Sequence, residues 1–117
     1  MTELEQLAAE IARCNKCPLA QGRTKSVPGQ GPADARLMFI GEAPGFHEDR
    51  QGLPFVGAAG QFLEELLRSI GMTREQVYIC NVIKCRPPNN RDPLPSEVEA
   101  CRPYLDRQIE LVRPRLI

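Results

Sequence analysis

The sequence predicts an α/β fold in which an open parallel sheet lies between layers of helices. Two short apolar runs, at 37–40 and 77–83, are typical of buried strands, and a helical apolar pattern over 58–70 separates them. Because strand, helix and strand alternate, right-handed crossovers should make the strands parallel and place helices on both faces. With 117 residues, the chain is expected to form one domain over 1–117.

The first two helices are predicted from capping residues and apolar spacing. Thr2 and Glu5 form a capping box for a helix over 3–13. The middle helix begins near Ala58 and ends at Gly71, a residue typical of the position just past a helix. Its predicted apolar stripe consists of Phe62, Leu63, Leu66, Leu67 and Ile70.

The last helix is predicted to begin at a cap formed by Ser96 and Glu99 and to end before Pro114. Residues 115–117 resemble the start of a third strand that is cut off before it can pair. The sheet is therefore expected to be incomplete at the C-terminus. Ligands of open α/β sheets bind beyond the carboxyl ends of the strands. The loops that leave those ends here are 41–57 and 84–95.

Composition excludes several classes of protein. The 15 Lys and Arg residues balance the 15 Asp and Glu residues, so bulk charge does not indicate nucleic acid or an anionic membrane as a partner. No apolar run approaches the roughly 20 residues that span a bilayer, and the acidic N-terminus is not a secretory signal. We therefore expect a cytoplasmic protein without a membrane partner, in which cysteines serve metal binding or catalysis rather than disulfides.

Four cysteines form two pairs that could share one metal centre. Cys14 and Cys17 have C-x2-C spacing, and Cys85 and Cys101 follow far along the chain. A metal held by both pairs would join the first helix to the second half of the sheet. On spacing alone, a [4Fe-4S] cluster and structural zinc fit equally, and buried thiols without a metal remain an alternative. Cys80, inside the second strand, is interpreted as a small buried apolar residue.

The segment 41–45, GEAPG, is a candidate ligand loop because it leaves the end of the first strand. Its two glycines permit close backbone approach, and its proline stiffens the turn. The sequence contains neither a Walker A motif nor G-x-G-x-x-G at this position, which argues against a nucleotide cofactor.

Four ordered stretches carry a resemblance to a known family. They are CNKCPL at 14–19, GEAPGFHED at 41–49, GLPFVGAAGQFL at 52–63 and NVIKCRPPNNRDPLPSE at 81–97. On these motifs the chain resembles the N-terminal part of a family 4 uracil-DNA glycosylase, the iron–sulfur class of that repair superfamily. The resemblance implies a three-layer sheet fold, an apparently truncated domain, and a [4Fe-4S] cluster on the four cysteines.

The resemblance also implies roles for residues at the strand ends. The substrate-binding set would be Gly41, Glu42, Ala43, Pro44, Phe55 and Asn81. Phe55 would stack on a flipped-out uracil, and Asn81 would read the base edge, since its amide offers an acceptor for N3–H and a donor for O4. Glu42 and Glu48 are the candidate catalytic carboxylates, and Ala43 stands where related families use aspartate. The carboxylates are therefore assigned positioning and electrostatic roles rather than base catalysis.

The predicted partner is uracil-containing DNA, single- or double-stranded, bound by a monomer. Arg86, Asn90 and Arg91 are the main candidates for DNA contacts, with Arg23 and Lys25 as further cations. The leading hypothesis is hydrolytic removal of uracil in base excision repair, with a structural cluster. The alternative is a non-catalytic iron–sulfur or zinc module that binds DNA or a protein, which the lack of the superfamily's His-Pro motif favours. His47, the single histidine, is interpreted as a solvated loop residue.

Overall fold

The computed structural model describes residues 2–14, 23–87 and 90–117. Helices and strands alternate along the chain as the apolar pattern predicts. In chain order the elements are α1 (Glu3–Ala12), β1 (Met38–Gly41), α2 (Phe46–Gln51), α3 (Ala58–Ser69), a 3₁₀ turn (Arg74–Gln76), β2 (Tyr78–Asn81) and α4 (Pro95–Val112). β2 is shorter than the apolar run at 77–83, whereas β1 has as many residues as the run at 37–40 but begins one residue later.

β1 and β2 are parallel neighbours, paired from Met38 opposite Tyr78 to Gly41 opposite Asn81. An antiparallel bridge joins Gln30 to Ile79, and a parallel bridge joins Leu37 to Leu116. The third strand was predicted to be cut off before pairing, and that part of the prediction is wrong. The backbone N–H of Met38 donates to the carbonyl of Leu116 over 3.0 Å.

Alternate strand residues form two apolar cores, one on each face of the sheet. On one face a buried cluster of Ala35, Met38, Tyr78, Cys80 and Val112 packs against Leu4 of α1 and Leu105 and Ile109 of α4. On the other face Leu63 and Leu67 of α3 pack with Val77 and Ile79. The predicted three-layer α/β arrangement is therefore confirmed for the described residues, and the reading of Cys80 as a buried apolar residue is confirmed with it.

The helix caps agree with the sequence at one end of the chain and differ at the other. The N–H of Glu5 donates to Thr2 Oγ1 over 3.1 Å, as predicted. The Ser96 and Glu99 cap is wrong, because α4 begins at Pro95 and its first turn is closed by Glu97, whose carboxylate accepts the N–H of Leu94 over 2.8 Å. Proline suits the first helical position since its missing N–H would be unpaired there.

Two further expectations differ from the structure. The segment expected to be loop up to Gly57 contains the short helix α2, and Phe62, Leu66 and Ile70 of the predicted apolar stripe are exposed, at 62%, 50% and 64%. The stripe is wider than the sheet face that α3 covers, so only its inner residues are buried. Among the described helices, none is both long and apolar enough to cross a membrane.

Candidate functional site: a base-sized pocket at the strand ends

The candidate site is a pocket between the loops that follow β1 and β2, here called the first loop (42–57) and the second loop (82–94). Its cavity volume is about 350 Å³. The lining consists of Glu42, Ala43, Pro44, Gly45, Glu48, Phe55, Ala59, Asn81, Pro87, Asn90 and Arg91. The pocket thus lies where an open parallel sheet binds its ligands, and it gathers all the predicted substrate-binding residues except Gly41, which adjoins it.

Asn81 is the last residue of β2, and its side chain faces this pocket. The residue is only 2% exposed, and its side-chain amide forms no hydrogen bond with a described residue. No fully enclosed polar side-chain atom among the described residues lacks a partner, so the Asn81 amide must reach the space of the pocket. Its position depends on Gly41, the residue paired with it across the ladder. A Cβ at Gly41 would lie 2.5 Å from Asn81 Oδ1 and 2.5 Å from Phe55 Cζ. The bare backbone of Gly41 therefore leaves room for both groups at the pocket.

Phe55 borders the pocket from the first loop in an unusual backbone conformation. Its φ is 53°, in the left-handed region that a bulky residue seldom adopts. Two contacts fix the backbone there: the Arg74 guanidinium donates to the carbonyls of Pro54 and Phe55, and Gly60 packs so closely that a Cβ would overlap the Phe55 carbonyl oxygen. Backbone strain of this kind persists only when neighbours enforce it, so Arg74 and Gly60 set the position of the ring.

Glu48, predicted as a catalytic carboxylate, lies in α2 and binds the backbone of its own loop. Its oxygens accept N–H bonds from Gly45 over 3.0 Å and from Val56 and Gly57 over 2.9 Å each. Partial burial raises the pKa of Glu48, but the backbone N–H bonds outweigh that effect and hold its pKa below the ordinary value. The carboxylate therefore joins the two ends of the first loop.

The other predicted residues of the first loop differ in exposure. Glu42 is exposed at the pocket, and its carbonyl continues the ladder by accepting the N–H of Ile83 over 3.2 Å. Ala43 packs against the buried cluster formed by Ile83, Cys85 and Cys101, and Pro44 is fully buried. Of the two predicted carboxylates, Glu42 is the one whose side chain remains available at the mouth.

The second loop contains the predicted DNA-contacting residues. Arg91 forms a two-pronged pair with Glu97, with nitrogen to oxygen distances of 2.9 and 2.8 Å. Arg86 Nε donates to Asn90 Oδ1 over 2.7 Å. The terminal nitrogens of Arg91 are therefore bound within the protein, whereas those of Arg86 form no hydrogen bond with a described residue.

Below Asn81 lies a buried polar network that the sequence did not indicate. Lys84 is 1% exposed, and its ammonium donates to the carbonyl of Asn81 over 2.6 Å and to Gln108 Oε1 over 2.7 Å. Gln108 Nε2 in turn donates to Tyr78 Oη over 3.2 Å. Burial lowers the pKa of Lys84 to about 8, opposed by negative charge at Cys80 and Cys101. The network links the end of β2 to α4.

A second cavity, of about 510 Å³, lies on the other side of Phe55 and is lined by Gln30, Gln61, Glu64, Arg74 and Glu75 among others. It is larger than the pocket at the strand ends, but the Arg74 guanidinium in it already binds the carbonyls of Pro54 and Phe55. None of the predicted base-reading groups apart from Phe55 reaches it. The smaller pocket is therefore the better candidate for a base.

Of the cysteines predicted to bind a metal, Cys14 follows α1, Cys85 lies in the second loop and Cys101 lies within α4. Cys85 and Cys101 share one buried cluster, and Cys14 packs against Tyr104, one turn along α4 from Cys101. Burial raises the pKa of Tyr104, and so do a hydrogen bond with Cys14 and negative charge at Cys14 and Cys101. Cys17 lies outside the described residues, and among the others no group of three or more Cys, His, Asp or Glu is arranged to hold a metal ion.

Two cations accompany these thiols. Arg23 Nη1 lies 2.9 Å from Cys85 Sγ, and Arg23 Nη2 donates to the carbonyl of Ala12 over 2.7 Å. Arg23, one of the sequence candidates for DNA contact, therefore faces the cysteines instead. Lys84 carries the second positive charge, near Cys101. Thiols next to two cations suit a donor set that works as thiolates.

The residues that the sequence did not single out are Gly60, Arg74, Glu97, Lys84 and Gln108. For Gly60 a signal exists, since a glycine in the first turn of a helix indicates close backbone approach. Arg74, Lys84 and Gln108 have partners distant in sequence, so no local pattern marks them. Glu97 has near partners, Leu94 and Arg91, but the cap was assigned to Ser96 and Glu99 instead.

Fold and pocket together define a class of protein, an open α/β sheet with a base-sized site at its strand ends. The sequence profile of the Uracil DNA glycosylase superfamily matches residues 28–117. The chain is 54% identical over 118 residues to the type-4 uracil-DNA glycosylase of Sulfurisphaera tokodaii, covering all of this chain and 54% of that protein. It is 56% identical over 117 residues to the type-4 enzyme of Archaeoglobus fulgidus, covering 59% of that protein.

A third relative, the type-4 uracil-DNA glycosylase of Thermotoga maritima, is 53% identical over 116 residues, which cover 98% of this chain and 60% of that protein. The chain thus spans little more than half the length of these relatives. It belongs to the uracil DNA glycosylase superfamily, and the resemblance to the type-4 members is confirmed.

Proposed function

We propose that the pocket between the two loops binds a uracil flipped out of DNA, and that the intact protein hydrolyses the N-glycosidic bond of deoxyuridine. The observation that carries this proposal is the Asn81 side chain, which lines the pocket, is only 2% exposed and forms no hydrogen bond with a described residue, so that its amide is open to a ligand in the pocket. A buried amide normally finds partners in the protein. Uracil supplies such partners, because its N3–H can donate to Asn81 Oδ1 and its O4 can accept from Asn81 Nδ2.

Phe55 supports the proposal by its placement at the same pocket. Its ring stands over the bare backbone of Gly41, so a flat base that contacts Asn81 would lie against the ring. A flipped base is normally held by stacking and by hydrogen bonds to its edge. The fixed backbone at Phe55 would keep this surface in place before the base arrives.

Bond cleavage separates a uracil anion from a sugar that gains positive charge, and water then adds to C1′ of the sugar. Glu42 is exposed at the mouth of the pocket, so its carboxylate would face the sugar and stabilise that positive charge or orient the water. Glu48 would act as a positioning residue, since its oxygens are bound to the backbone. The substrate would be uracil-containing DNA, bound by one copy of the chain.

We also propose that a [4Fe-4S] cluster is held by Cys14, Cys17, Cys85 and Cys101. Support comes from the chemistry of the donors: Cys85 shares a buried cluster with Cys101, Cys14 packs against Tyr104 one turn along α4, and the Arg23 guanidinium contacts Cys85. The cluster would supply a structural clamp between α1 and α4. Iron analysis of the intact protein should give about four irons per chain, and a zinc content near one per chain would contradict this assignment.

The proposed activity is tested with a uracil-containing single-stranded oligonucleotide, with abasic product detected by alkaline strand cleavage. The intact protein should produce abasic sites. Asn81→Asp replaces the donor to O4 with a second acceptor, so excision should fall at least about 100-fold. Gln61→Glu makes the same amide-to-acid change at the larger cavity and should leave excision unchanged. No abasic product from the parent protein, or equal losses in both variants, would sink the proposal.

A further inference from the structure

An exposed aromatic side chain lies between two arginines at the rim of the pocket. Phe46, the first residue of α2, is 45% exposed. The Arg50 guanidinium carbon lies 5.4 Å from the centre of its ring, and that of Arg86 lies 5.3 Å from it. His47 meets the same ring edge-on, with ring centres 5.4 Å apart. We call Phe46, Arg50 and Arg86 the rim cluster.

The charges of the rim cluster are not neutralised within the described part of the chain. Neither Arg50 nor Arg86 forms an ion pair with a described carboxylate, and Arg86 donates to the neutral Asn90 side chain. Arg91, by contrast, is paired with Glu97 over 2.8 Å. Each guanidinium of the rim cluster can therefore attract an anion that approaches the rim.

The rim cluster continues the base pocket. Phe46 follows the pocket residue Gly45, Arg86 precedes the pocket residue Pro87, and Asn90 both lines the pocket and accepts from Arg86 Nε. A nucleotide whose base enters the pocket keeps its phosphates and its neighbours outside. The adjoining stretch of strand must therefore run over the rim.

We propose that the rim cluster is a subsite for the nucleotide adjoining the flipped uridine. Arg50 and Arg86 bind its phosphates, and Phe46 holds the two guanidiniums at the rim and offers its exposed surface to the neighbouring base or sugar. Proteins that hold single strands combine these two elements, cations along the backbone and an aromatic surface for stacking. The inference rests on the proposed function, because the flipped uridine fixes which nucleotide is the neighbour.

Binding to single-stranded oligonucleotides, with uracil and without it, tests the subsite by fluorescence anisotropy across a range of salt concentrations. Phe46→Ala should weaken binding about tenfold. Arg50→Gln and Arg86→Gln should each lower the slope of log K against log salt by about 0.7, the value for one phosphate contact. The controls are Phe62→Ala and Arg68→Gln on α3, which remove an exposed ring and a cation that forms no ion pair with a described carboxylate, both away from the pocket.

A minimal substrate separates the rim from the pocket. On deoxyuridine that carries only its own two phosphates, Phe46→Ala should excise uracil with the same kcat/KM as the parent protein, since the neighbouring base is missing. Equal behaviour of Phe46→Ala and Phe62→Ala on the long strand would overturn the inference, as would an equal loss on both substrates. If the parent protein excises no uracil, the proposed function fails, while binding of undamaged strand still decides whether the rim cluster holds DNA.

Discussion

The two loops that form the pocket are each closed by a glutamate, but with different partners. In the first loop Glu48 accepts only backbone N–H bonds, from Gly45, Val56 and Gly57. At the end of the second loop, Glu97 of α4 accepts one backbone N–H bond, from Leu94, and binds the Arg91 guanidinium with both oxygens. The first arrangement keeps its negative charge, and the second is neutral.

This difference shows that residue type alone does not tell whether a charged side chain is available to a ligand or is bound within the protein. Glu48 was predicted to be catalytic and Arg91 to contact DNA, yet both side chains bind within their own loops. The charge left on Glu48 stays at the pocket, where positive charge would develop on the sugar. The pairing of Arg91 with Glu97 leaves Arg86 as the second-loop cation with nitrogens available to a ligand.

The largest effect is expected where the first loop meets α3. Gly60→Ala would place a Cβ against the Phe55 carbonyl oxygen, so the loop must shift, at a cost of about 3 kcal/mol in the free energy of unfolding. Gly71→Ala, whose φ is +78° but whose Cβ meets nothing, should cost only about 1 kcal/mol. Urea denaturation measures both, and similar losses would show that the contact at Phe55 is not tight.

Next in size is the loss of the Glu48 carboxylate. Glu48→Ala leaves three backbone N–H groups without their acceptor, so we expect a loss of about 2 kcal/mol in the free energy of unfolding. Excision should fall as well, because Phe55 lies next to two of the bonded residues. Glu42→Ala is the control, since its exposed carboxylate has no such bonds and its replacement should lower excision without lowering stability.

A smaller effect is expected from the second loop. Glu97→Gln removes the charge that binds Arg91 but keeps an acceptor for the Leu94 N–H, and the partly exposed Arg91 can turn to water. The melting temperature should therefore fall less than in Glu48→Ala. DNA affinity should not fall, because a released Arg91 adds a cation at the rim. A fall in affinity without a change in melting temperature would contradict the pairing.

The smallest effect is the pH dependence of the stability that the Glu48 carboxylate contributes through its backbone N–H bonds. Because its pKa is lower in the folded protein than the ordinary 4.5, its contribution is complete above that value and is lost as pH falls through the lowered pKa. The melting temperature of the parent protein should exceed that of Glu48→Gln at neutral pH, and the gap should narrow below pH 4.5. A gap that stays constant down to acid pH would show that the charge of Glu48 does not matter.

The sheet was predicted from the sequence better than the side-chain contacts that hold the loops around the pocket. The strands follow from continuous apolar runs, and Asn81 follows from its place at a strand end together with the family motif. The partners of Glu48 and the contact of Arg74 with Phe55 depend on how loops fold back, which no local period records. The predicted cap of α4 is wrong because Ser96, a residue type typical of N-caps, lies inside the helix, which begins at Pro95 with Leu94 as its N-cap.

The exposed part of α3 shows that the extent of a buried helix face is also hard to predict from sequence. Apolar spacing predicts that a helix has a buried face, but not how wide the covered face is. Leu63 and Leu67 are buried, whereas Phe62 and Ile70 of the same predicted stripe are exposed. Which part is covered depends on neighbouring layers rather than on the helix itself.

The central claim is that the smaller cavity, and not the larger one behind Phe55, is the base pocket. Titration of the intact protein with uracil and with cytosine, followed by NMR of the side-chain amides, tests it directly. Uracil should shift the side-chain amide signals of Asn81 and leave those of Gln61 unchanged. Cytosine should shift neither set of signals, since its edge presents the opposite pattern of donors and acceptors. Shifts at Gln61 and Gln30 without any at Asn81 would place the base in the larger cavity and contradict the account.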